Sequence, residues 1–240
     1  MIAARDGSPF FFPKSVASMA RGEKPRRAGD GTIFFRCAWD APADARVDGD
    51  EDLTVRGKWA GLLPSIPEGQ NYLYHTDRSE GLPLFGWRRR YWGFLLKLAK
   101  SRPSWTIQAQ PRPAIGPFHW DNRRLSRHEL CRLQTFPDHV KVVGSRVSVQ
   151  RQVGNAVPSL LTEILGRAIR TQLLGLPEVE RPLTLLPPLR TDIPDSSPVV
   201  DVPADYLSLS GEHEAHPGTG LGEGAKRRIQ ADVELIPASA

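Results

Sequence analysis

A glycine and an asparagine, Gly154 and Asn155, stand immediately before a predicted helix that begins near Val157. A glycine ahead of a helix amino terminus lets a ligand approach the backbone, and the free amides and the helix dipole favour an anionic group there. Pro158 suits the first helical position, because its missing amide would be unpaired there in any case. An isolated Gly-Asn pair is more often a plain turn and helix cap, so the spacing alone leaves both interpretations open.

Cationic residues stand beside aromatic ones at two places in the middle of the chain. The first is Lys58-Trp59, and the second is Arg88, Arg89 and Arg90, flanked by a tryptophan and a tyrosine. This combination serves phosphate neutralisation and contact with a groove or a base, so these residues are candidates for binding double-stranded DNA. The alternative is that the three arginines form only a solvated charged face.

Composition divides the chain near residue 175. Residues 176–240 carry 9 of the 22 prolines, 5 basic and 11 acidic residues and almost no periodicity, so we expect a disordered tail there. The preceding 175 residues carry 27 basic and 16 acidic residues, and this net charge of +11 suits a polyanionic partner. Cys37 and Cys131 have no metal-ligand spacing and form no disulfide framework, which fits a reducing cytoplasm. No apolar run approaches the ~20 residues of a membrane span.

Two helices are predicted on local grounds. The sequence Ser126 to Glu129 is a capping box, and the helix that it starts should end near Gln134, where a Phe-Pro pair follows. The second helix, from Val157, carries apolar residues on one face and can end at Gly175.

The chain before residue 123 has weaker patterns, and its middle part is predicted to be an irregular, loop-rich module. We expect short strands at Met1–Ala4 and Phe10–Phe12, a loop at 18–31 and a short ordered element around Trp39-Asp40. An acidic loop at 44–52 and one short helix at Tyr91–Ala99 should follow.

Two blocks of the sequence resemble the last two blocks of the DNA (cytosine-5) methyltransferases. They are RRLSRHELCRLQTFPDHV, from Arg123 to Val140, and RQVGNAVPS, from Arg151 to Ser159. With less specificity, Pro103 to Ile107 resembles the short Thr-Ile/Leu element that closes that family's target-recognition region. The resemblance implies DNA methylation, as in restriction-modification systems, with S-adenosylmethionine as the methyl donor.

The resemblance assigns roles to particular residues. It implies that Gly154, Asn155 and Ala156 help to wall the S-adenosylmethionine pocket, and that Thr106 lies near the phosphates of the flipped nucleotide. The alternative interpretation is that Thr106 is only a β-branched residue in a strand. The block from Ser126 to Asp138 is then an organiser of the structure, which ties the DNA-reading module to the catalytic domain.

The resemblance also implies a fold class and a division of the chain. The expected fold is α/β, mixed α+β as a fragment: the carboxyl-terminal part of a doubly wound S-adenosylmethionine-dependent methyltransferase with an irregular target-recognition module. Residues 1–17 would be a remnant of a catalytic-domain strand, 18–122 the target-recognition region, 123–175 the final catalytic-domain blocks and 176–240 the tail.

The residues that make the bond in this family have no counterpart in the chain. The family's nucleophile is the cysteine of a Pro-Cys pair, whereas Cys37 follows an arginine and Cys131 follows a leucine. Neither the family's Glu-Asn-Val block nor its Gly-rich donor site is found. We therefore expect no catalytic residue in this chain and no methylation of DNA by the chain alone.

Three hypotheses agree with this pattern. The chain is a split-enzyme subunit that works with a complementing amino-terminal methyltransferase half, or it is a remnant or truncated form of such an enzyme. The third hypothesis is a non-enzymatic DNA-binding module that kept the recognition surface. An upstream reading frame that carries Pro-Cys would favour the first hypothesis.

Overall fold

The helices of the protein lie mainly in its second half. The computed structural model describes residues 4–14, 35–45, 47–77, 79–85, 92–190 and 192–211. Within these ranges, three short 3-10 helices span Ala38–Asp40, Ala60–Ser65 and Tyr72–His75, and the α-helices are α1 (Arg127–Leu133), α2 (Arg146–Asn155), α3 (Ser159–Gln172) and α4 (Ala204–Leu207). None of these helices has the length and the apolar character to cross a membrane.

Extended pairing is sparse in the described ranges. They contain two isolated bridges, Phe94 with Ile115 and Lys97 with Phe118, and no strand. The sheet expected for an α/β methyltransferase fold is therefore not seen in this part of the chain, and that fold class stays a prediction. The strand predicted at Phe10–Phe12 is not formed, because the Phe11 backbone instead exchanges two hydrogen bonds of 2.8 and 2.9 Å with the Gln172 side chain.

Helix α1 begins at the predicted capping box. The Ser126 hydroxyl accepts from the Glu129 amide at 3.1 Å, and the Ser126 amide donates to the Glu129 carboxylate at 2.8 Å. Helix α3 begins one residue after the predicted Pro158, which becomes the residue before its first turn. Gly175 follows the end of α3 with a φ of +60°, as expected for a glycine that closes a helix.

Helix α2 was not predicted from the sequence. Its ten residues, RVSVQRQVGN, include three valines and a glycine, which are poor helix formers. Val149 and Val153, one turn apart, are fully buried, so tertiary packing outweighs the weak local preference. Ser145 caps the helix by accepting from the Ser148 amide at 3.3 Å, and this cap was the available sequence signal.

The helix predicted at Tyr91–Ala99 is wrong for residues 92–99, which are irregular. Residues 93–100 are all buried, so this segment is not an amphipathic helix with one exposed face. Leu95, with a φ of +53°, is left-handed, which also interrupts a helix. Tyr91 and the loop predicted at 18–31 lie outside the described residues. The short ordered element predicted around Trp39-Asp40 is confirmed, and it is part of a 3-10 helix.

Two hydrophobic clusters form the interior. The first joins α1 and α2 to earlier segments through the buried residues Ala38, Leu98, Ile107, Trp120, Leu125, Leu130, Cys131, Val149 and Val153. The second lies in the loop-rich module and contains Leu62, Leu63, Ile66, Tyr72, Leu84, Phe85, Phe94, Leu95 and Phe118. Helix α3 contributes no buried residue to either cluster.

Residues 192–211, which fall in the predicted disordered tail, pack against the second cluster. The Tyr206 ring stacks on Trp59, with centroids 6.0 Å apart, and its hydroxyl donates to the Lys58 carbonyl at 2.8 Å. Val202 and Leu209 contact the same cluster. This part of the tail is therefore ordered, contrary to the expectation of disorder, because its apolar side chains pack on the aromatic residues of the second cluster.

Candidate cofactor and DNA-binding site

The two sequence blocks meet at Gln134 and Thr135, directly after α1. The Gln134 side-chain amide donates to the Val153 carbonyl at 3.0 Å, in the last turn of α2. The Gln134 carbonyl accepts from the Ser159 amide at 3.0 Å, and the Thr135 hydroxyl accepts from the Leu160 amide at 2.8 Å. The end of α2 and the start of α3 are thus fixed to the same two residues.

These contacts correct the anion site predicted at a helix amino terminus. Gly154 and Asn155 lie in the last turn of α2 and not in a loop ahead of a helix. The first amides of the following helix, those of Ser159 and Leu160, already donate to protein oxygens. Gln134 and Thr135 therefore supply the oxygens that accept from the first amides of α3, in place of a bound anion.

Gly154 is required for close packing between α2 and the segment at Gln108-Ala109. A Cβ atom at position 154 would lie 2.6 Å from the Ala109 backbone nitrogen and 2.9 Å from the Gln108 carbonyl carbon. Both distances are too short for a real contact, and backbone atoms cannot rotate away. The absence of a side chain at Gly154 therefore serves the protein's own backbone.

We expect Gly154→Ala to lower the free energy of unfolding by about 1–3 kcal/mol, because the new methyl group overpacks this contact. Urea unfolding followed by circular dichroism measures the change. Gly166→Ala in α3 is the matched control, since a Cβ there meets no atom within 4 Å and should stabilise the helix by ~0.5–1 kcal/mol. Equal effects in the two variants would contradict a packing role for Gly154.

Asn155 is the most exposed residue of the segment from Gly154 to Ala156, and Gly154 is half-buried. Asn155 is exposed at the end of α2, and Ala156 is half-buried. An asparagine amide both donates and accepts, which suits the amino, carboxylate and hydroxyl groups of S-adenosylmethionine.

A buried ionic cluster holds α1 in place. Glu129 is 1% exposed, and Arg123 donates to both of its carboxylate oxygens at 2.7 and 2.8 Å. The Nε2 atom of His119 lies 3.5 Å from the same carboxylate. The carboxylate and the imidazole are buried, whereas Arg123 keeps 26% of its side chain exposed, and the organising role expected for the block stays a prediction.

Of the candidate DNA-binding residues, Lys58 and Thr106 lie within the described part of the chain. Lys58 is exposed, and its ammonium group lies 4.9 Å from the centre of the Trp59 ring. Arg88, Arg89 and Arg90 lie outside the described residues. The structure therefore gives Lys58 a cation–π partner and leaves the arginine run a prediction.

Thr106 lies on an exposed, irregular segment that is anchored by its buried neighbour Ile107. The alternative of a strand residue is not seen at this position. Beside it, Trp105 and Trp92 form an edge-to-face pair with centroids 5.4 Å apart, and they are 39% and 54% exposed. The pair of Trp92 and Trp105 was not predicted from the sequence, although exposed tryptophans are typical of surfaces that stack on nucleic-acid bases.

Neither thiol is prepared for nucleophilic attack. Burial raises the pKa of Cys37, and its hydrogen bond to the Asp40 carboxylate, at 3.1 Å, raises it further. Burial alone raises the pKa of Cys131, which packs in the first hydrophobic cluster. Both side chains are therefore thiols at neutral pH, whereas a cysteine nucleophile must be a thiolate.

Sequence comparisons give these features a context. Residues 69–171 match the C-5 cytosine-specific DNA methylase family. The chain is 41% identical over 183 residues to the type II methyltransferase M.SacI of Streptomyces achromogenes, across 72% of this chain and 47% of that protein. It is 34% identical over 110 residues to the type II methyltransferase M.NgoFVII of Neisseria gonorrhoeae, across 45% of this chain and 28% of that protein.

A plant enzyme shares part of the same similarity. A DNA (cytosine-5)-methyltransferase of Arabidopsis thaliana is 38% identical over 85 residues, which cover 35% of this chain and 10% of that protein. The chain thus spans less than half the length of each of these relatives. Residues 69–171, which include the two blocks joined at Gln134, are therefore similar to the C-5 cytosine-specific DNA methylases.

Proposed function

We propose that this chain provides DNA recognition and one wall of the S-adenosylmethionine site in a DNA (cytosine-5) methyltransferase. The observation that carries the proposal is the hydrogen-bonded junction of the two blocks at Gln134 and Thr135, inside the region that matches the family. The relatives' names, type II methyltransferase and DNA (cytosine-5)-methyltransferase, support the same reaction.

In this proposal the chain's own residues bind and orient. S-adenosylmethionine supplies the methyl group, and Gly154, Asn155 and Ala156 line one side of its site. Lys58 and Arg88 to Arg90 neutralise phosphates of double-stranded DNA, and Thr106 lies near the flipped nucleotide. The exposed pair of Trp92 and Trp105 beside Thr106 supports this placement, because carbon 5 of cytosine is accessible only when the base leaves the stack.

The nucleophile of the reaction comes from a polypeptide segment other than these 240 residues. Addition at carbon 6 of the base requires a thiolate. The two thiols present here are buried, and burial raises the pKa of each. A complementing amino-terminal methyltransferase half would supply the thiolate and the rest of the donor site.

Helix α3 supports the need for such a complement. None of its 14 residues is buried, and Leu161 in its first turn is 44% exposed. Val157, two residues before the helix, is 57% exposed. A helix with apolar residues on one face is stable when that face packs on a sheet or another helix. The open face of α3 is therefore suited to packing on the catalytic sheet of the complement.

Methyl transfer from a radiolabelled donor to duplex DNA tests the proposal. We expect background transfer by the purified chain alone, and clear transfer when it is combined with the part of the Streptomyces relative that lies outside the alignment. A duplex whose cytosines all carry a 5-methyl group is the matched control. Transfer by the chain alone would contradict the external nucleophile, and a failure to bind DNA would contradict the recognition role.

A further inference from the structure

A cleft of about 580 Å³ opens between the segment at 52–57, the segment at 111–113 and the start of α2. Three guanidinium groups line it, those of Arg56, Arg124 and Arg146, together with one carboxylate, Asp52, and the hydroxyl of Thr54. Arg124 and Arg146 also line a small space next to Phe118 and Leu130, so they form the floor of the cleft. The cleft thus concentrates positive charge in a concave surface.

The two floor arginines are held in position by neutral acceptors. Arg124 donates to the Pro113 carbonyl at 3.1 Å, and Arg146 donates to the Gln150 side-chain oxygen at 3.0 Å. Within the described residues, neither guanidinium forms an ion pair. Each guanidinium has five N–H donors, so most of their hydrogen-bonding capacity remains available in the cleft.

The electrostatics of the floor favour an anion. Burial lowers the pKa of Arg124, and burial followed by the charge of Arg124 lowers the pKa of Arg146. Both groups nevertheless stay protonated, because an arginine does not lose its proton in proteins. Asp52 is exposed at the rim and paired with Arg56. Its charge raises the pKa of Arg124 and the charge of Glu51 raises the pKa of Arg146, but burial outweighs both effects.

We propose that this cleft binds a phosphate group of the nucleic-acid backbone, with Arg124 and Arg146 as its ligands. A guanidinium fork matches two phosphate oxygens at once, and two such groups can hold one phosphate from both sides. The nucleic-acid source of this phosphate rests on the proposed function. The binding of a phosphate by the cleft does not.

Arg146 and Asn155 are the first and last residues of α2, about 13.5 Å apart along the helix axis. A phosphate held at Arg146 would therefore fix α2, and with it the exposed Asn155, in a defined orientation relative to the DNA. The cleft is a positioning site in this proposal and takes no part in bond formation.

Fluorescence anisotropy tests whether the phosphate belongs to DNA. It measures how the binding of the full chain to a 20-base-pair duplex depends on salt concentration. We expect Arg124→Gln and Arg146→Gln each to lower the slope of log Kobs against log salt concentration by about 1. Arg124→Lys should keep most of the slope because it keeps the charge. Arg151→Gln, which removes an exposed charge of α2 outside the cleft, should leave the slope unchanged.

A second pair of variants keeps the test valid if an arginine variant does not fold. Val147 lines the cleft and is 47% exposed, so Val147→Glu adds a carboxylate there without disturbing the core. We expect it to weaken duplex binding roughly fivefold to tenfold through repulsion of the phosphate. Val143→Glu adds the same charge at a residue that is 77% exposed and does not line the cleft, and it should have little effect.

The outcomes separate this inference from the proposed function. Duplex binding that is unchanged in the folded arginine variants and in Val147→Glu overturns the cleft site and leaves DNA recognition intact. If the native chain binds no duplex, the recognition role fails, and calorimetric titration with inorganic phosphate decides about the cleft. Phosphate binding that is lost in Arg124→Gln supports the site, and the absence of phosphate binding by the native chain overturns it.

Discussion

Replacing Glu129 with glutamine is expected to lower the free energy of unfolding by about 3 kcal/mol. The carboxylate of Glu129 is buried and accepts from both terminal nitrogens of Arg123 and from the Ser126 amide. Glutamine has nearly the same size, but its amide nitrogen would face a guanidinium donor. The variant would therefore leave the charge of Arg123 partly buried without its counter-charge.

Urea unfolding at pH 7 measures this loss, and Asp138→Asn is its matched control. Asp138 also binds an arginine, Arg132, but its carboxylate is exposed. Exposed ion pairs contribute about 0–1 kcal/mol, so the control should change stability little. A loss in Glu129→Gln no larger than in Asp138→Asn would show that the Glu129 cluster does not stabilise α1.

Lowering the pH from 7 to 4 is expected to destabilise the protein progressively, beginning near pH 6.5. Burial lowers the pKa of His119 below its ordinary value of 6.5, despite the opposing charge of Glu129. The unfolded chain therefore binds a proton at a higher pH than the folded chain does. The stability contributed by the neutral imidazole is fully present above pH 6.5 and is lost as the pH falls below it.

Protonation of Glu129 lowers the free energy of unfolding further at lower pH. Burial opposes its ionisation, but the hydrogen bonds from Arg123 and Ser126 outweigh burial and lower its pKa below the ordinary 4.5. Its contribution to stability is therefore present above pH 4.5 and is lost as the pH falls through the folded-state pKa. Each proton taken up by the unfolded chain alone gives a slope of about 1.4 kcal/mol per pH unit.

Unfolding free energies measured between pH 4 and pH 8 check this dependence. His119→Phe keeps a ring beside Trp120, whose centroid lies 4.0 Å from that of His119, but it does not titrate. We expect this variant to have a shallower slope between pH 6.5 and pH 5. Burial also lowers the pKa of His75, so part of the slope should persist in His119→Phe and disappear on further replacement of His75. An unchanged slope in His119→Phe would remove His119 from the explanation.

Features with a local cause were predictable from the sequence. The capping box at Ser126, the extent of α3 and the closing role of Gly175 each depend on residues that are close neighbours in the chain. Helix α2 was missed because its stability comes from burying Val149 and Val153, and burial is decided by distant parts of the chain.

The candidate site shows the same division between local and tertiary causes. The segment Gly154 to Ala156 was found from its sequence, but the reason for the glycine was not, because the Ala109 backbone that it contacts lies 45 positions earlier. The arginine cleft has no sequence signature at all. Its three guanidinium groups stand at positions 56, 124 and 146, and only the folded chain brings them together.

The segment at 192–211 bears on where this polypeptide can be shortened. A deletion at the change in composition near residue 175 would remove Tyr206, Val202 and Leu209 from the rings of Trp59 and its neighbours. The uncovered aromatic surface would promote self-association. The same deletion would also remove eleven acidic and five basic residues and leave a more strongly basic protein. Four of the acidic residues are aspartates of the segment at 192–211, which has no lysine or arginine. A stop codon after residue 211 preserves both the cover and its charge.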